Sequence, residues 1–360
     1  MGGNSRTELR HSGGGWARCN TDLDGYGNGG SGNRGGSIRA SAPCGRFIPV
    51  LPRDLCPMSG DRTGGPLIVA LNPAIDAEWV VEQVRASEKI EVESERRWPG
   101  GKGINVARWW RWLGGRPRLL VPVGGTTGRE LLAGVRREGL RAVPFPLREP
   151  TRVNVIVSPR RGPQLRLNPL WPRFSTVEAR RLKQAFRTEL YPGRWIILSG
   201  ALPKSLSIDT YAQFIRMARR EKCRTVLDCD GEAFRLAVLE HPILVKPNEF
   251  ELAQWAGRKL MTPAAEEAAA TRLSRQTGGW VLVSLAQRGG LLVNATEGFV
   301  RWEKAVKVTV RNTVGAGDAL LAAVCRAMIE GVPPDLWLGY GLRAGGLAVS
   351  VSPGCLPARS

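Results

Sequence analysis

The stretch Thr313-Val-Gly-Ala-Gly-Asp318 runs directly into the apolar segment Ala319-Leu-Leu-Ala-Ala-Val324. Glycines there let the backbone turn sharply, and the apolar run after them predicts a helix. Free N–H groups at a helix start hold anions, and the helix dipole adds to their pull. Asp318 falls in the first turn beside that anion, where a carboxylate can take a proton from an attacking hydroxyl. An acidic residue at this place also serves as an ordinary helix-start residue, and spacing alone leaves both readings open.

A second turn, Trp98-Pro-Gly-Gly-Lys-Gly-Ile-Asn-Val-Ala-Arg108, also enters a helix. It is not a Walker A loop, because Lys102 is followed by Gly103 rather than Ser or Thr. Gly100 and Gly101 suit a backbone that approaches a polar ligand closely, and Asn105 faces back toward that ligand from one turn in. A plain strand-to-helix turn would use the same glycines. The third piece is Leu244-Val-Lys-Pro-Asn-Glu-Phe-Glu251. Asn248 and Glu251 have the spacing of a capping box, which is sufficient for stability. The same two side chains offer oxygen ligands to a hydrated Mg²⁺.

Composition narrows the chemistry further. Only His11 and His241 are present among 360 residues, so His-based triads, His metal sites and a His general base are set aside. The seven cysteines include no C-x-x-C pair and are odd in number, which reads as reduced thiols in a cytoplasmic protein rather than a disulfide framework or zinc site. The net charge of +20 rests largely on arginine, since only nine of the 52 basic residues are lysine. These arginines are scattered, and no nucleic-acid-reading module accompanies them, so a basic surface for anionic substrates is preferred to a nucleic-acid role. No apolar run reaches the ~18 residues of a membrane span.

The elements that must position these residues follow from periodicity. Residues 1–65 lack apolar patterning and read as a disordered extension, and residues 66–360 as one domain. Strands are predicted over Leu67–Leu71, Glu78–Val84, Lys89–Trp98, Arg118–Val123, Arg152–Ser158, Gln164–Leu167, Trp195–Ser199, Arg224–Asp228, Ile243–Lys246 and Trp280–Leu285, with more strands up to Val310. Helices are predicted over Gly101–Leu113, Thr127–Glu138, Ser207–Arg220, Glu249–Ala256, Ala264–Thr277, Gly317–Ile329 and Asp335–Val349. Strand–helix alternation predicts a mainly parallel sheet covered by helices, an α/β fold. The half-exposed strands of residues 74–98 and 151–170 fit a small second sheet.

Taken together, Gly100-Gly-Lys-Gly-Ile-Asn-Val-Ala-Arg108 and Asn312-Thr-Val-Gly-Ala-Gly-Asp318 resemble the two signatures of the PfkB/ribokinase family of carbohydrate kinases. The resemblance extends from Leu67 to Val351. Leu71-Asn-Pro-Ala-Ile-Asp76, Thr151-Arg-Val-Asn154, Ser199-Gly-Ala-Leu-Pro203 and Leu244-Val-Lys-Pro-Asn248 resemble its phosphofructokinase and tagatose-6-phosphate kinase branch. The resemblance implies a ribokinase-like three-layer α/β/α sandwich whose small β-sheet is a lid over the sugar. It implies ATP and Mg²⁺, a sugar phosphate as acceptor (fructose 1-phosphate, fructose 6-phosphate or tagatose 6-phosphate) and a homodimer through the lid. By the same resemblance Asp318 is the base, and Gly315, Ala316 and Gly317 form the anion hole. Asp76, Gly100, Gly101, Lys102 and Asn105 hold the sugar, while Lys89 and Arg152 hold its phosphate. Lys246, Asn248, Ser284, Ala286, Gly289 and Gly317 line the ATP side, and Asn248 and Glu251 face magnesium.

The chain departs from the family pattern in four places. Ala286 stands in Ser284-Leu-Ala-Gln-Arg-Gly289 where relatives carry glycine. Leu167-Asn-Pro-Leu-Trp-Pro172 lacks a lid glycine, and Glu91 replaces a basic residue of some relatives. The chain also stops soon after its last predicted helix. The competing expectations are a weakly active or inactive sugar-phosphate-binding relative and a kinase of an unphosphorylated sugar.

Overall fold

A computed structural model describes residues 65–170 and 173–358. Apart from Gly65, the expected N-terminal extension lies outside the described residues, as do Trp171 and Pro172 of the lid segment. In chain order the elements are β1 (Leu67–Val69), β2 (Ala74–Gln83), β3 (Ser94–Gly100), α1 (Lys102–Trp112), β4 (Arg118–Val123), α2 (Gly125–Arg137), β5 (Arg141–Pro146), β6 (Arg152–Arg161), β7 (Leu165–Leu167), α3 (Thr176–Arg187), β8 (Trp195–Ser199) and α4 (Thr210–Arg220). They continue with β9 (Arg224–Asp228), α5 (Gly231–Ala237), β10 (Leu244–Val245), α6 (Glu249–Ala256), α7 (Pro263–Thr277), β11 (Trp280–Ser284), β12 (Gly290–Asn294), β13 (Phe299–Glu303), α8 (Ala316–Ile329) and α9 (Pro334–Ser350).

The large sheet has the order β13-β12-β11-β10-β9-β8-β1-β4-β5. Every pair from β5 to β11 is parallel, and β12 and β13 add antiparallel strands at one edge. The parallel strands are short apolar runs because both of their faces are covered. Alternate residues supply two separate cores: Ile68 and Leu282 join α1, α2, α8 and α9, whereas Leu67, Val69, Val281 and Val283 join α3 to α7. This is the three-layer α/β/α sandwich expected from the sequence.

The small sheet has the order β3-β2-β6-β7. β2 pairs antiparallel with β3 and parallel with β6, and β6 returns as the expected hairpin with β7. Two boundaries differ from expectation. β2 begins at Ala74 rather than Glu78, because Ala74, Ile75 and Ala77 are buried and extend the ladder toward the large sheet. β3 begins at Ser94 rather than Lys89, so residues 89–93 connect strands instead of forming one. Ile90 and Val92 are exposed, and the alternation of that stretch has no core to face. Strand β5 and helices α3 and α5 were not expected, and no strand continues from β13 to Val310.

The first crossovers lead from β1 to β4 and β5 on one side, and later ones from β8 to β11 on the other. The order therefore reverses between β1 and β8, the place where open α/β sheets bind ligands at the strand ends. Helix α1 starts there. A Cβ on Gly103 would lie 2.6 Å from Ala70 Cβ, just past β1, and 3.2 Å from the carbonyl oxygen of Ser199 at the end of β8. Glycine thus lets the second signature turn press against both strand ends.

Among the described cysteines, Cys223, Cys229 and Cys325 are free thiols. Among the described residues no helix is long and apolar enough to cross a membrane.

Overpacking at Gly103 is predicted to cost about 1–3 kcal/mol. Urea unfolding of Gly103→Ala measures this loss; an unchanged midpoint would show that α1 can move away from the two strand ends freely.

Candidate active site

Asp318 is the third residue of α8 and is buried. The helix is entered through Gly315 at φ 84°, a left-handed conformation that suits glycine. Asn105 reaches across from α1, and its Nδ2 donates to Asp318 Oδ2 at 2.8 Å. Arg108, one turn further along α1, donates from Nη1 to Asn105 Oδ1 at 2.8 Å, which fixes the amide so that its nitrogen faces the carboxylate. Arg108 is itself clamped by Glu138 and by the carbonyl of Pro99. The two glycine signatures therefore meet through one hydrogen-bonded chain, Glu138–Arg108–Asn105–Asp318.

On the other side of Asp318 lies a charged cluster. Asp228, the last residue of β9, is fully buried and receives Lys246 at 3.2 Å, Lys102 at 3.4 Å and the hydroxyl of Ser199 at 3.2 Å. Lys102 also lies 3.6 Å from Glu251. Burial alone would raise the Asp228 carboxyl, but Lys246, Lys102 and the hydrogen bonds hold it below its ordinary value. Asp318 behaves in the opposite way. Burial first, and then the neighbouring Asp228 charge, push it up to about 6 against the pull of Lys102, Asn105 and Lys246. Lys102 is held above its ordinary value by Asp228 in first place, over the cost of its own burial.

A Cβ on Gly317 would sit 3.5 Å from Lys246 Nζ, so the lysine lies beside the start of α8. The amides of Gly315, Ala316 and Gly317 begin that helix and have no partner within it. Asn248 and Glu251 form the full capping box of α6, each backbone N–H bonded to the other side chain at 2.8 Å. Asn248 also bridges Ser284, where β11 ends.

The loop after β11 carries the expected strain. Ala286 adopts φ 51°, and Gly289 adopts φ 106° with the Glu303 carbonyl oxygen 1.9 Å from where a Cβ would be. Arg288 anchors this loop, donating to Glu266 on α7 at 2.9 Å and to Glu249 on α6 at 2.6 Å.

A further group of candidate residues is built on the small sheet and the turn into α1. Asp76 on β2 is buried and accepts from Asn154 Nδ2 on β6 at 2.7 Å. A Cβ on Gly100 would fall 2.2 Å from Asp76 Oδ2, so the glycine clears space for that carboxylate. Burial pushes the Asp76 carboxyl up, opposed by Asn154, Arg108, Arg152 and Arg166. Arg152 donates to the carbonyls of Pro169 and Asn72, while its Nε is buried without a partner. Gly101, at φ 106° against Asn72 and Pro73, joins this region to Lys102 and α1.

Lys89 is the expected residue that the structure does not bring to the site. It lies on the β2–β3 connection, 87% exposed, and pairs with Glu91 at 3.7 Å. The late start of β3 is the cause. Sequence reasoning assigned no role to Asp228, Arg108 or Asn154. Asp228 carries one legible signal, its place at the carboxyl end of a parallel strand.

The model of the pfkB family carbohydrate kinase matches residues 67–359. A 1-phosphofructokinase of Bacillus subtilis is 30% identical over 277 residues, 77% of this chain and 90% of its own. An ATP-dependent 6-phosphofructokinase isozyme 2 of Mycobacterium tuberculosis is 32% identical over 295 residues, 81% of this chain and 86% of its own. The crystal structure of phosphofructokinase-2 from Escherichia coli in complex with fructose-6-phosphate superposes with a TM-score of 0.75 at 27% identity, covering 79% of this chain and 93% of that one. Fold and relatives together define a ribokinase-like phosphotransferase with an alcohol acceptor. The chain belongs to the pfkB family of carbohydrate kinases.

At φ 51° an alanine side chain is strained by about 1–2 kcal/mol. Ala286→Gly is therefore predicted to raise stability by up to about 1 kcal/mol after the added backbone entropy is counted. Denaturant unfolding tests this, and a drop in stability would show that Ala286 sits without strain.

Proposed function

We propose that the chain transfers the γ-phosphoryl group of ATP to the free CH₂OH of a ketose monophosphate, with Asp318 as the general base. Fructose 6-phosphate, fructose 1-phosphate and tagatose 6-phosphate are the candidate acceptors. One observation carries the reading: a buried carboxyl, pushed up to about 6, stands hydrogen-bonded at the start of an anion-binding helix. A base in that range is ionised at neutral pH and still strong enough to accept a hydroxyl proton as attack proceeds.

In this reading the sugar lies between the lid and α1, with its hydroxyls on Asp76, Asn105 and the Gly100–Gly101 backbone. Asn105 holds one Asp318 oxygen, which leaves the other for the acceptor hydroxyl. The γ-phosphoryl group sits on the Gly315–Gly317 amides with Lys102 and Lys246 beside it. Preformed donors of this kind stabilise charge in the transition state without reorganising. The nucleotide extends past Lys246 and Asn248 toward Ser284, Ala286 and Gly289. The lid excludes water, which would otherwise compete as nucleophile.

Magnesium fits as a hydrated, phosphate-bound ion rather than a caged one. Asp228 and Glu251 carboxylates converge on a single point, now taken by the Lys102 ammonium at 3.4 and 3.6 Å. No cluster of three or more His, Cys, Asp or Glu side chains that could hold a metal exists among the described residues. Mg²⁺ keeps several waters and binds through one or two carboxylates plus substrate phosphates, which matches this pair. Bound there with ATP, it would neutralise charge on the phosphates. Asn248 would contact it only through water, since its Oδ1 already accepts from Glu251 N–H.

The homodimer belongs to the same reading. The lid face opposite Asp76 carries Trp79, Val155 and Val157, half-buried, and Leu165 and Leu167, exposed, and a second copy would cover it. The reading places the enzyme in the cytoplasm, where ATP and sugar phosphates meet.

ADP release across the three sugar phosphates and free fructose tests the substrate class; turnover confined to unphosphorylated sugars would overturn it. The acid limb of kcat/KM is predicted near pH 6, with activity lost as Asp318 is protonated. Asp318→Asn is predicted to lower kcat by several orders of magnitude. The raised carboxyl takes up a proton on folding, so its stabilising contribution is present near pH 4 and is lost as pH rises through about 6. Asp318→Asn should flatten that part of the stability profile. Near-normal turnover in the variant would remove Asp318 from the mechanism.

A further inference from the structure

Lid cations are almost all paired. Arg85 lies within ion-pair distance of Glu88, Lys89 of Glu91, and Arg96 of Glu78. Arg97 pairs with Glu95 and Glu130, Arg160 with Glu93, and Arg161 with Glu82. Among the described lid residues, Arg152 and Arg166 are the two cations with no carboxylate within 4 Å. Pairing is the rule on this sheet, so two exceptions on one face ask for an anion from outside.

Strand register puts both exceptions on the same face, with Arg166 opposite Ile156, four residues along β6 from Arg152. Asp76 pairs with Asn154 across β2 and β6, and Ile156 pairs with Arg166 across β6 and β7. Residues that face each other across a ladder, and those two apart along a strand, share one face. Arg166 therefore projects from the Asp76 face, not from the apolar face of Leu165 and Leu167. Its charge acts on the buried Asp76 carboxyl together with those of Arg108 and Arg152. A relay sets its orientation: Arg166 Nε donates to Gln164 Oε1 at 3.0 Å, Gln164 donates to Ser158 at 3.0 Å, and Ser158 donates to Glu78 at 2.9 Å. Both terminal nitrogens of Arg166 stay open. Arg152 nearby has its Nε buried and unpartnered.

We propose that Arg166, with Arg152, grips the phosphate already carried by the sugar, in the role the sequence pattern gave to Lys89. The two open terminal nitrogens of Arg166, with the N–H groups that Arg152 keeps beyond its bonds to the Pro169 and Asn72 carbonyls, match the several oxygens of a phosphate monoester, whereas Lys89 is an exposed ammonium already beside Glu91. The inference rests on the sugar-phosphate reading above and adds the residue that selects a phosphorylated acceptor over a free sugar.

The test uses the full-length chain with fructose 6-phosphate, fructose 1-phosphate, tagatose 6-phosphate and unphosphorylated fructose as probes. Arg166→Ala is expected to raise KM for the preferred sugar phosphate at least tenfold. The KM for ATP and any activity on fructose should stay within about twofold, and Arg166→Lys should restore part of the loss. Lys89→Ala should change these values less than twofold. Calorimetric binding of the preferred sugar phosphate gives the same comparison without turnover. The inference is overturned if Arg166→Ala leaves sugar-phosphate KM and affinity unchanged, if it weakens fructose equally, or if Lys89→Ala has the larger effect. Failure of the wild-type chain to bind or turn over any sugar phosphate would defeat the substrate reading itself, and the inference with it. A melting temperature matching wild type for Arg166→Ala separates a binding loss from a folding loss.

Discussion

Two carboxylates buried in one pocket cannot both be strongly acidic unless enough cation is buried with them. Here Asp228 and Asp318 share that pocket, and both lysines near them, Lys102 and Lys246, make their close ion pairs with Asp228. Asp228 consequently stays ionised below its ordinary range, and its charge helps to lift Asp318 to about 6. Asp228 thus acts on Asp318 through the field, with no hydrogen bond between them among those described. The asymmetry comes from chain direction. Asp228 ends a buried strand between Ser199 and Lys246, while Asp318 lies on a helix and takes its side-chain hydrogen bond from the neutral amide of Asn105. One site thereby holds a strongly acidic carboxyl and a weakly acidic one built from the same residue type.

The rest of the fold is arranged so that this pocket closes from three directions. The parallel sheet brings β1, β8, β9 and β10 to one edge, and each contributes at its carboxyl end or just beyond it. Helix α1 closes the middle, held to the strand ends by Gly103 and to α8 by the Arg108–Asn105–Asp318 chain. The small sheet adjoins it through Asp76 and Gly100, and its charges are mostly paired, so its net attraction for an anion is concentrated at Arg152 and Arg166. Scattered arginine in the sequence conceals this: the charge of +20 is spread over the whole chain, and only pairing in space shows which cations are left over.

That difference explains what could be read before the fold was known. The glycine turns were legible because backbone sterics act over a few residues, and Asp318, Asn105 and Gly315 fell where those turns placed them. The central strands were legible as short apolar runs between turns. Strand β5 was missed because Arg141-Ala-Val-Pro-Phe-Pro146 mixes prolines with partly exposed positions at a sheet edge, where alternation is weak. Lys89 was misplaced for the opposite reason. Lys89-Ile-Glu-Val-Glu-Ser-Glu alternates cleanly, yet neither face of that stretch meets a core, so periodicity without burial did not make a strand. Asp228 could not be singled out, since its importance depends on Lys102 and Lys246, 126 residues upstream in one case and 18 downstream in the other.

The departures from the family pattern fall unevenly, and their placement bears on what they cost. Ala286 sits in a short 3-10 turn over Ala286–Arg288, just after β11, at a positive φ. A strained residue persists where the surroundings over-determine its conformation. Arg288 supplies that constraint, tying the same turn to Glu249 and to the buried Glu266. The strain is local to the loop, and the hydrogen bonds around Asp318 do not pass through it. Substitution in this turn therefore draws on local stability, while the raised Asp318 carboxyl is set by burial and Asp228 against Lys102, Asn105 and Lys246.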